Sequence, residues 1–306
     1  MNYKKIWIFL LFAFGLSWLI ALVLRLLNLP IGAGSQSVTA LVLMIAYMYM
    51  PAFSAFLVQK IIFKQEIKKP LLISFRINIF FLWALLIPLI LVFLTTVIGY
   101  LFTSITFDPD MAGIKEMFGS SLTAEQLQEM EAQIDKLPFH PIWLAIGQGL
   151  IAAVTVNALA GFGEELGWRG FLVNEFKEMN FIKASLIIGV IWGIWHAPII
   201  LMGHNYPEHP QWGVLFMTVF CILLSFLFLY VTIKAKSVIA ASVMHGSINA
   251  FFGITLMISR GGNDLILGLA GVSGFIAMGI TIMLFFIFDR WVSKERIMTG
   301  KIGSYL

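Results

Sequence analysis

The chain has 306 residues, of which 60% are hydrophobic and 12% are charged, and its mean hydropathy is +0.93. A soluble domain carries about twice this charged fraction, so the composition excludes a soluble globular protein. The net charge of +4 is too small to indicate a nucleic-acid partner, and a lone cysteine, Cys221, excludes an intrachain disulfide. We predict an all-α polytopic membrane protein, with residues 1–306 forming a single membrane domain.

About eight apolar segments are long enough to cross a hydrocarbon core of ~30 Å. They cover residues 6–27, 37–63, 78–104, 142–163, 184–202, 211–234, 237–258 and 265–288. If the N terminus lies in the cytoplasm, most of the 20 Lys and Arg residues fall on the inner side. The positive-inside rule therefore predicts a bundle of about eight transmembrane helices with both termini cytoplasmic.

A polar segment, 105–140, separates the third and fourth spans and is predicted to be an extracytoplasmic loop. Its stretch Thr123-Ala-Glu-Gln126 has the form of a capping box, which predicts a short helix ending near Lys136. Pro138 and Pro141 would terminate this helix. The segment is interpreted as an external cap, with a role in admitting a substrate as the alternative.

Several polar side chains lie within or at the ends of the apolar spans, where a charged group costs about 2.5–3.5 kcal/mol. They are Glu164, Glu165 and Arg169 in the stretch GFGEELGWRGFL at the end of the fourth span, His196 in the fifth, and His245 and Asn249 in the seventh. Because these groups must meet one another or water, we expect one cavity in the cytoplasmic half of the bundle to hold them all.

Helical spacing separates the roles of these groups. Glu165 and Arg169 are one turn apart with the acid first, the favoured order for an ion pair, whereas Glu164 points about 100° away. His245 and Asn249 project from one helix face. Two adjacent desolvated carboxylates cannot both ionise cheaply, so Glu164 is left to take up and return a proton.

The surroundings of His196 add to this set. Trp192 lies one turn earlier and can form a wall of the same site, and Pro198 should loosen the helix beside the histidine because it has no N–H. A glutamate base, a water-orienting histidine and a His245–Asn249 pair directed at an oxyanion are the parts needed to hydrolyse an amide with water.

Three motifs on successive spans resemble those of the CPBP intramembrane proteases, which include the type II CAAX prenyl endopeptidases and the bacterial Abi or bacteriocin-immunity proteins. They are E-E-x-x-x-R (Glu164, Glu165, Arg169), aromatic-x3-His (Trp192, His196) and H-x3-N (His245, Asn249). The resemblance is strong over 160–250, the predicted core of the protein. The wording EELGWRGFL is closest to the bacterial branch and implies a bacterial plasma membrane.

The resemblance implies a role for each matching position. Glu164 would be the general base, and His196 would activate the same water. His245 and Asn249 would form the oxyanion hole. The substrate would be a membrane-embedded or lipid-anchored peptide or protein, cleaved by an intramembrane endopeptidase of the glutamate type.

Glu165 and Arg169 would support the site, and Trp192 stands where the family often has Phe. The resemblance implies a metal-free mechanism without a cofactor. A zinc-dependent variant is the alternative. Its ligands would be Glu164, His196 and His245.

Other interpretations remain open at this stage. The acids and Arg169 could form an ion pair at a helix end, and the histidines could serve packing alone. Three further histidines, His140, His204 and His209, lie in predicted loops and are expected to be solvated. A proton-coupled transporter and a non-enzymatic immunity or scaffold protein are the rival functions.

Overall fold

A computed structural model describes residues 1–31, 37–110, 124–134 and 136–306. Within these ranges the fold is helical apart from a two-stranded antiparallel ribbon, β1 (Thr106–Phe107) with β2 (Ser259–Arg260). The helices are α1 (Tyr3–Leu26), α2 (Val38–Phe56), α3 (Ile79–Gly99), α4 (Ala124–Ile134), α5 (Ile142–Val154), α6 (Val156–Glu165), α7 (Phe181–Trp195), α8 (Ala197–Leu201), α9 (Pro210–Ala235), α10 (Val238–Phe251), α11 (Ile254–Met257) and α12 (Val272–Ile287).

Six helical stretches in the described ranges are long and apolar enough to cross a membrane. They are Tyr3–Leu26, Val38–Ile62, Ile79–Gly99, Pro210–Ala235, Val238–Met257 and Val272–Val292. Helices α5 and α6 form a seventh candidate that is bent by 48°. The predicted fifth span corresponds to α7 and α8, of which α7 has only 15 residues. The prediction of an all-α polytopic membrane protein is confirmed, with a shorter and broken fifth span.

The fourth predicted span, 142–163, ends too early along the chain. Helix α6 continues through a π-helical segment, Leu166–Leu172, into a last turn, Val173–Glu175. Glu164 is therefore not at the end of the span but roughly eleven residues, or about 16 Å, before it. The continuation of the span was not predicted because GFGEELGWRGFL is polar for a membrane segment. In the structure, residues 163–173 are all buried inside the protein.

Short polar side chains start several of these helices. The side-chain oxygens of Asn2, Asn78, Asn180 and Ser237 each accept a hydrogen bond from a backbone N–H of the following turn. Before Ser237, Lys236 adopts the left-handed conformation (φ 51°) that ends α9. These local signals allow α9 and α10 to be joined by a very short turn.

Both termini pack at one end of the bundle. Lys5 Nζ lies 2.5 Å from a carboxylate oxygen of Glu175, and both side chains are buried. Near the C terminus, Ile302 N donates to Met179 O and Gly303 N donates to Lys177 O. Termini on the same side agree with an even number of crossings; the cytoplasmic orientation of this end stays a prediction.

The polar segment 105–140 contains the predicted short helix, α4, although Thr123 of its capping box lies outside the described residues. Strand β1 ties the start of this segment to β2, and Arg260 Nε lies 3.0 Å from a carboxylate oxygen of Asp108. The segment is thus attached to the connection between α11 and α12. Its extracytoplasmic location and the domain boundaries stay predictions.

Small residues allow the central helices to approach closely. A Cβ added at Gly193 would lie 3.0 Å from the Cβ of Thr218, which holds α7 against α9. At Gly246, an added Cβ would lie 2.9 Å from Ala158 Cα, which holds α10 against α6. Helix α6 carries the two glutamates, α10 carries His245 and Asn249, and His196 follows α7, so this close packing determines how far apart the polar groups lie.

Candidate active site

One cavity of about 270 Å³ brings the predicted residues together. Five of the predicted side chains line it directly: Glu164, Trp192, His196, His245 and Asn249. The other two, Glu165 and Arg169, are fully buried. They do not line the cavity but contact residues that do. The structure thus gathers the three motifs into a single site, while the chemical roles of the residues stay predictions.

The Glu165–Arg169 ion pair forms as the spacing predicts, with Nη1 3.1 Å from Oε2. The same guanidinium donates through Nη2 to Ser225 Oγ at 3.0 Å. It lies between two aromatic rings, 4.3 Å from the ring centre of Trp192 and 4.5 Å from that of Phe228. A buried charge needs such partners, and Arg169 is held by an acid, a hydroxyl and two ring faces.

His245 lies between the two glutamates. Its Nδ1 is 2.8 Å from Glu165 Oε1, and its Nε2 is 3.9 Å from Glu164 Oε1. The first distance is a hydrogen bond and the second is too long for one. Glu165 therefore orients the imidazole and leaves Nε2 free on the side of the cavity that Glu164 faces.

Trp192 contributes more than the wall that the sequence predicted. Its indole Nε1 donates a hydrogen bond of 2.7 Å to Glu164 Oε2. An indole can only donate, so this contact fixes one carboxylate oxygen and leaves Oε1 toward His245. Sequence spacing could not show this contact because the two residues are 28 positions apart on different helices.

His196 lies at the break between α7 and α8, where Pro198 predicted a loosened helix. Its backbone N–H donates to Gly193 O, and its ring Nδ1 is 2.9 Å from Trp192 O. A carbonyl oxygen only accepts, so Nδ1 carries the proton and Nε2 of a neutral ring is an acceptor. The broken helix thus presets the tautomer that can receive a proton from water.

Asn249 is the most exposed member of the set. Among the described residues, none makes a hydrogen bond with its carboxamide. Helix α10 places it one turn beyond His245 on the same face, as predicted. Its N–H groups remain available to a bound molecule.

The cavity extends beyond the predicted polar residues and is not confined to the half of the bundle nearest the termini. It extends past His196 to the loop between α8 and α9, where His204 and Asn205 line it. This loop follows the far end of the α7–α8 span, opposite the end that holds the termini. The predicted location of the cavity in the cytoplasmic half stays a prediction, because it depends on which end of the bundle faces the cytoplasm.

His204 corrects a second expectation, since it was predicted to be a solvated loop histidine. It lines the cavity, and its Nδ1 is buried without a hydrogen-bond partner in the described part of the chain. The other two loop histidines have contacts elsewhere: His140 Nε2 lies 3.0 Å from Pro109 O, and His209 Nδ1 lies 2.6 Å from Asp264 Oδ1. The loop sequences alone do not indicate which of the three histidines lines the cavity.

The three residues named as alternative zinc ligands, Glu164, His196 and His245, all line the cavity. Across the described ranges, no group of three His, Cys, Asp or Glu side chains is arranged to hold a metal ion. Glu164 Oε2 and the Nδ1 atoms of His196 and His245 are already engaged in hydrogen bonds within the protein. In the described part of the chain, the three alternative zinc ligands do not form a preassembled metal site.

Known proteins share the region that carries this site. Residues 146–251 match the family described as Type II CAAX prenyl endopeptidase Rce1-like. A curated relative, CAAX prenyl protease 2 of Methanococcus maripaludis, is 30% identical over 97 residues. That alignment covers 30% of this chain and 36% of the relative. All three motifs fall within the matched segment, so the part of the chain that carries the site is similar to the type II CAAX prenyl endopeptidases.

Proposed function

We propose that the protein is an intramembrane endopeptidase that hydrolyses a peptide bond in a membrane-embedded or lipid-anchored substrate. The observation that carries this proposal is the shared cavity, in which a buried glutamate faces two histidines and an asparagine. The family match over 146–251 supports the same reaction class. No nucleic acid is expected to take part.

The proposed first step is attack by water. Glu164 takes a proton from a water molecule that is also hydrogen-bonded to Nε2 of His196, and the water oxygen forms a bond to the carbonyl carbon. Asn249 donates an N–H to the resulting oxyanion, and His245 donates through Nε2. The hydrogen bond from His245 requires a proton on Nε2. The ring then carries this proton as well as the one on Nδ1, which is hydrogen-bonded to Glu165.

The second step breaks the peptide bond. Glu164 returns its proton to the departing nitrogen, the C–N bond breaks, and a carboxylic acid and an amine leave the site. Burial makes these hydrogen bonds stronger than in water because few water molecules compete for the donors. Glu165 and Arg169 are positioning residues in this scheme, since they act through His245 and Trp192.

The reaction is tested with purified protein in lipid nanodiscs and hydrophobic peptides that carry a fluorophore and a quencher. Each peptide is supplied with an unmodified or a prenylated cysteine. A preference for the prenylated form would support a CAAX-type substrate, and equal cleavage would support a broader peptide substrate such as a bacteriocin precursor. Peptide uptake into liposomes without cleavage would support the transporter interpretation instead.

Removing metal ions is expected to leave the cleavage rate unchanged. The proposed base and its water partner are a carboxylate and an imidazole, and both contribute without a metal. The rate is measured before and after incubation with a strong zinc chelator, with a known zinc peptidase as the positive control. Loss of cleavage that added zinc restores would instead support a zinc site made of Glu164, His196 and His245.

Substituting Trp192 by phenylalanine is expected to lower kcat/KM by roughly ten- to a hundredfold. Phe keeps the aromatic wall but cannot donate to Glu164, and a hydrogen bond to a charged group contributes about 1.5–3 kcal/mol. Steady-state rates and the thermal midpoint are compared with those of Trp212→Phe, which makes the same change at an exposed position. Equal rates in both variants would show that the indole N–H has no catalytic effect.

A further inference from the structure

The loop between α8 and α9 is held in a fixed shape beside the cavity. Gly203 and Asn205 adopt left-handed conformations (φ 94° and 61°), and the N–H groups of Gly203 and His204 donate to carbonyls of the last turn of α8. Tyr206 is fully buried, and its hydroxyl donates to Ala270 O at 2.8 Å. These contacts turn His204 toward the cavity, so its position there is a feature of the fold.

The two polar side chains of this loop that line the cavity, His204 and Asn205, are uncharged. Burial lowers the pKa of His204 to about 4, so its ring is neutral at physiological pH. A neutral imidazole offers one donor and one acceptor, and the Asn205 carboxamide offers an accepting oxygen at one end and N–H donors at the other. The buried, unpartnered Nδ1 of His204 carries an unfavourable desolvation energy until a polar atom binds to it.

Much of the cavity wall is apolar. Met44, Met217 and Phe220 are among the apolar residues that line the same cavity. A ligand that fits therefore has apolar side chains together with uncharged polar groups that both donate and accept. The main chain of an extended peptide has this character, whereas a free carboxylate or ammonium group would be buried without an opposite charge.

We propose that His204 and Asn205 form a substrate-binding subsite that hydrogen-bonds a main-chain amide of the peptide to one side of the scissile bond. This proposal rests on the proposed function, because it assumes that the ligand is a peptide. It adds that the enzyme selects an internal, uncharged stretch of peptide at this end of the cavity. His204 is a binding residue here and takes no part in the proton transfers.

Binding is measured without cleavage, so that the result does not depend on turnover. The protein carries Glu164→Gln in nanodiscs, and the probe is a fluorescent apolar decapeptide with both ends blocked. His204→Phe keeps a ring of similar size and is expected to raise the Kd about tenfold, as for a lost buried hydrogen bond. His204→Asn places a polar atom near the position of Nδ1 and is expected to restore most of the affinity.

The contact is located with peptides that are N-methylated at one amide each. One methylation should weaken binding to the His204 protein by about tenfold and have little effect on the His204→Phe protein, because the two changes remove the same hydrogen bond. His140→Phe serves as the matched control outside the cavity and should leave the Kd unchanged. If the phenylalanine variant does not fold, His204→Leu is compared with His204→Asn in the same way.

An unchanged Kd in folded His204→Phe would overturn the subsite, and so would N-methyl effects that all persist in that variant. No binding of any peptide by the Glu164→Gln protein would also overturn it. Failure of the wild-type protein to cleave peptides that it binds through His204 would count against the peptidase and leave the subsite standing.

Discussion

Glu164→Gln is expected to lower kcat/KM by about 10²–10⁴-fold, the contribution of a positioned general base. Glutamine has nearly the same shape, and its side-chain oxygen can still accept the hydrogen bond from Trp192 Nε1, so the cavity should keep its form. It cannot take a proton from water. Cleavage of a fluorogenic peptide and the thermal midpoint are measured on the same preparation.

The matched control for this prediction is Glu178→Gln, which removes a carboxylate from an exposed position at the end of the bundle that holds the termini. It should cleave at the wild-type rate. Equal activity in Glu164→Gln would remove Glu164 as the base and leave a histidine to take the proton. Full activity in both variants would therefore contradict the mechanism and not the reaction class.

The spans and the ion pair were predictable because both depend on local sequence. Apolar length determines which segments can cross a membrane, and a separation of one helical turn determines that Glu165 can meet Arg169. The break at His196 was likewise visible in Pro198. In each case the deciding interaction is with the lipid or within one helix, so neighbouring residues suffice to predict it.

The contacts that complete the site were not predictable, because they depend on how separate helices pack. Trp192 reaches Glu164 only because α7 packs against the π-helical segment that follows α6, and the residues between them in the chain do not encode that distance. His204 was missed for a related reason. The sequence predicts a solvent-exposed loop at this position. In the structure, Gly203 and Asn205 adopt left-handed conformations that turn the histidine toward the cavity.

The C-terminal boundary of the fourth span was missed because charge was interpreted as a sign of the membrane surface. Glu164, Glu165 and Arg169 are all buried, and each is compensated by a specific partner. A compensated charge can lie deep in a membrane protein, and sequence hydropathy does not include the compensation. The same buried acids and arginine should therefore determine much of the stability of the bundle.

Arg169→Met is expected to lower the free energy of unfolding by about 3–5 kcal/mol, since it leaves the buried carboxylate of Glu165 without its guanidinium. Met is unbranched, apolar and of comparable volume, so the loss reports the missing charge more than a cavity. The unfolding free energy is measured by denaturant titration in detergent micelles. Lys301→Met, which disrupts the exposed pair with Glu178, is the control and should cost less than about 1 kcal/mol.

The double variant Glu165→Gln/Arg169→Met separates charge from packing. Removing both charges should recover most of the stability lost in Arg169→Met, because the penalty comes from an uncompensated charge and not from the absence of an ion pair. Activity should stay low, since His245 Nδ1 then has no carboxylate to orient it. A double variant as unstable as Arg169→Met would show instead that the guanidinium stabilises the fold through Trp192, Phe228 and Ser225, with the charge of Glu165 contributing little.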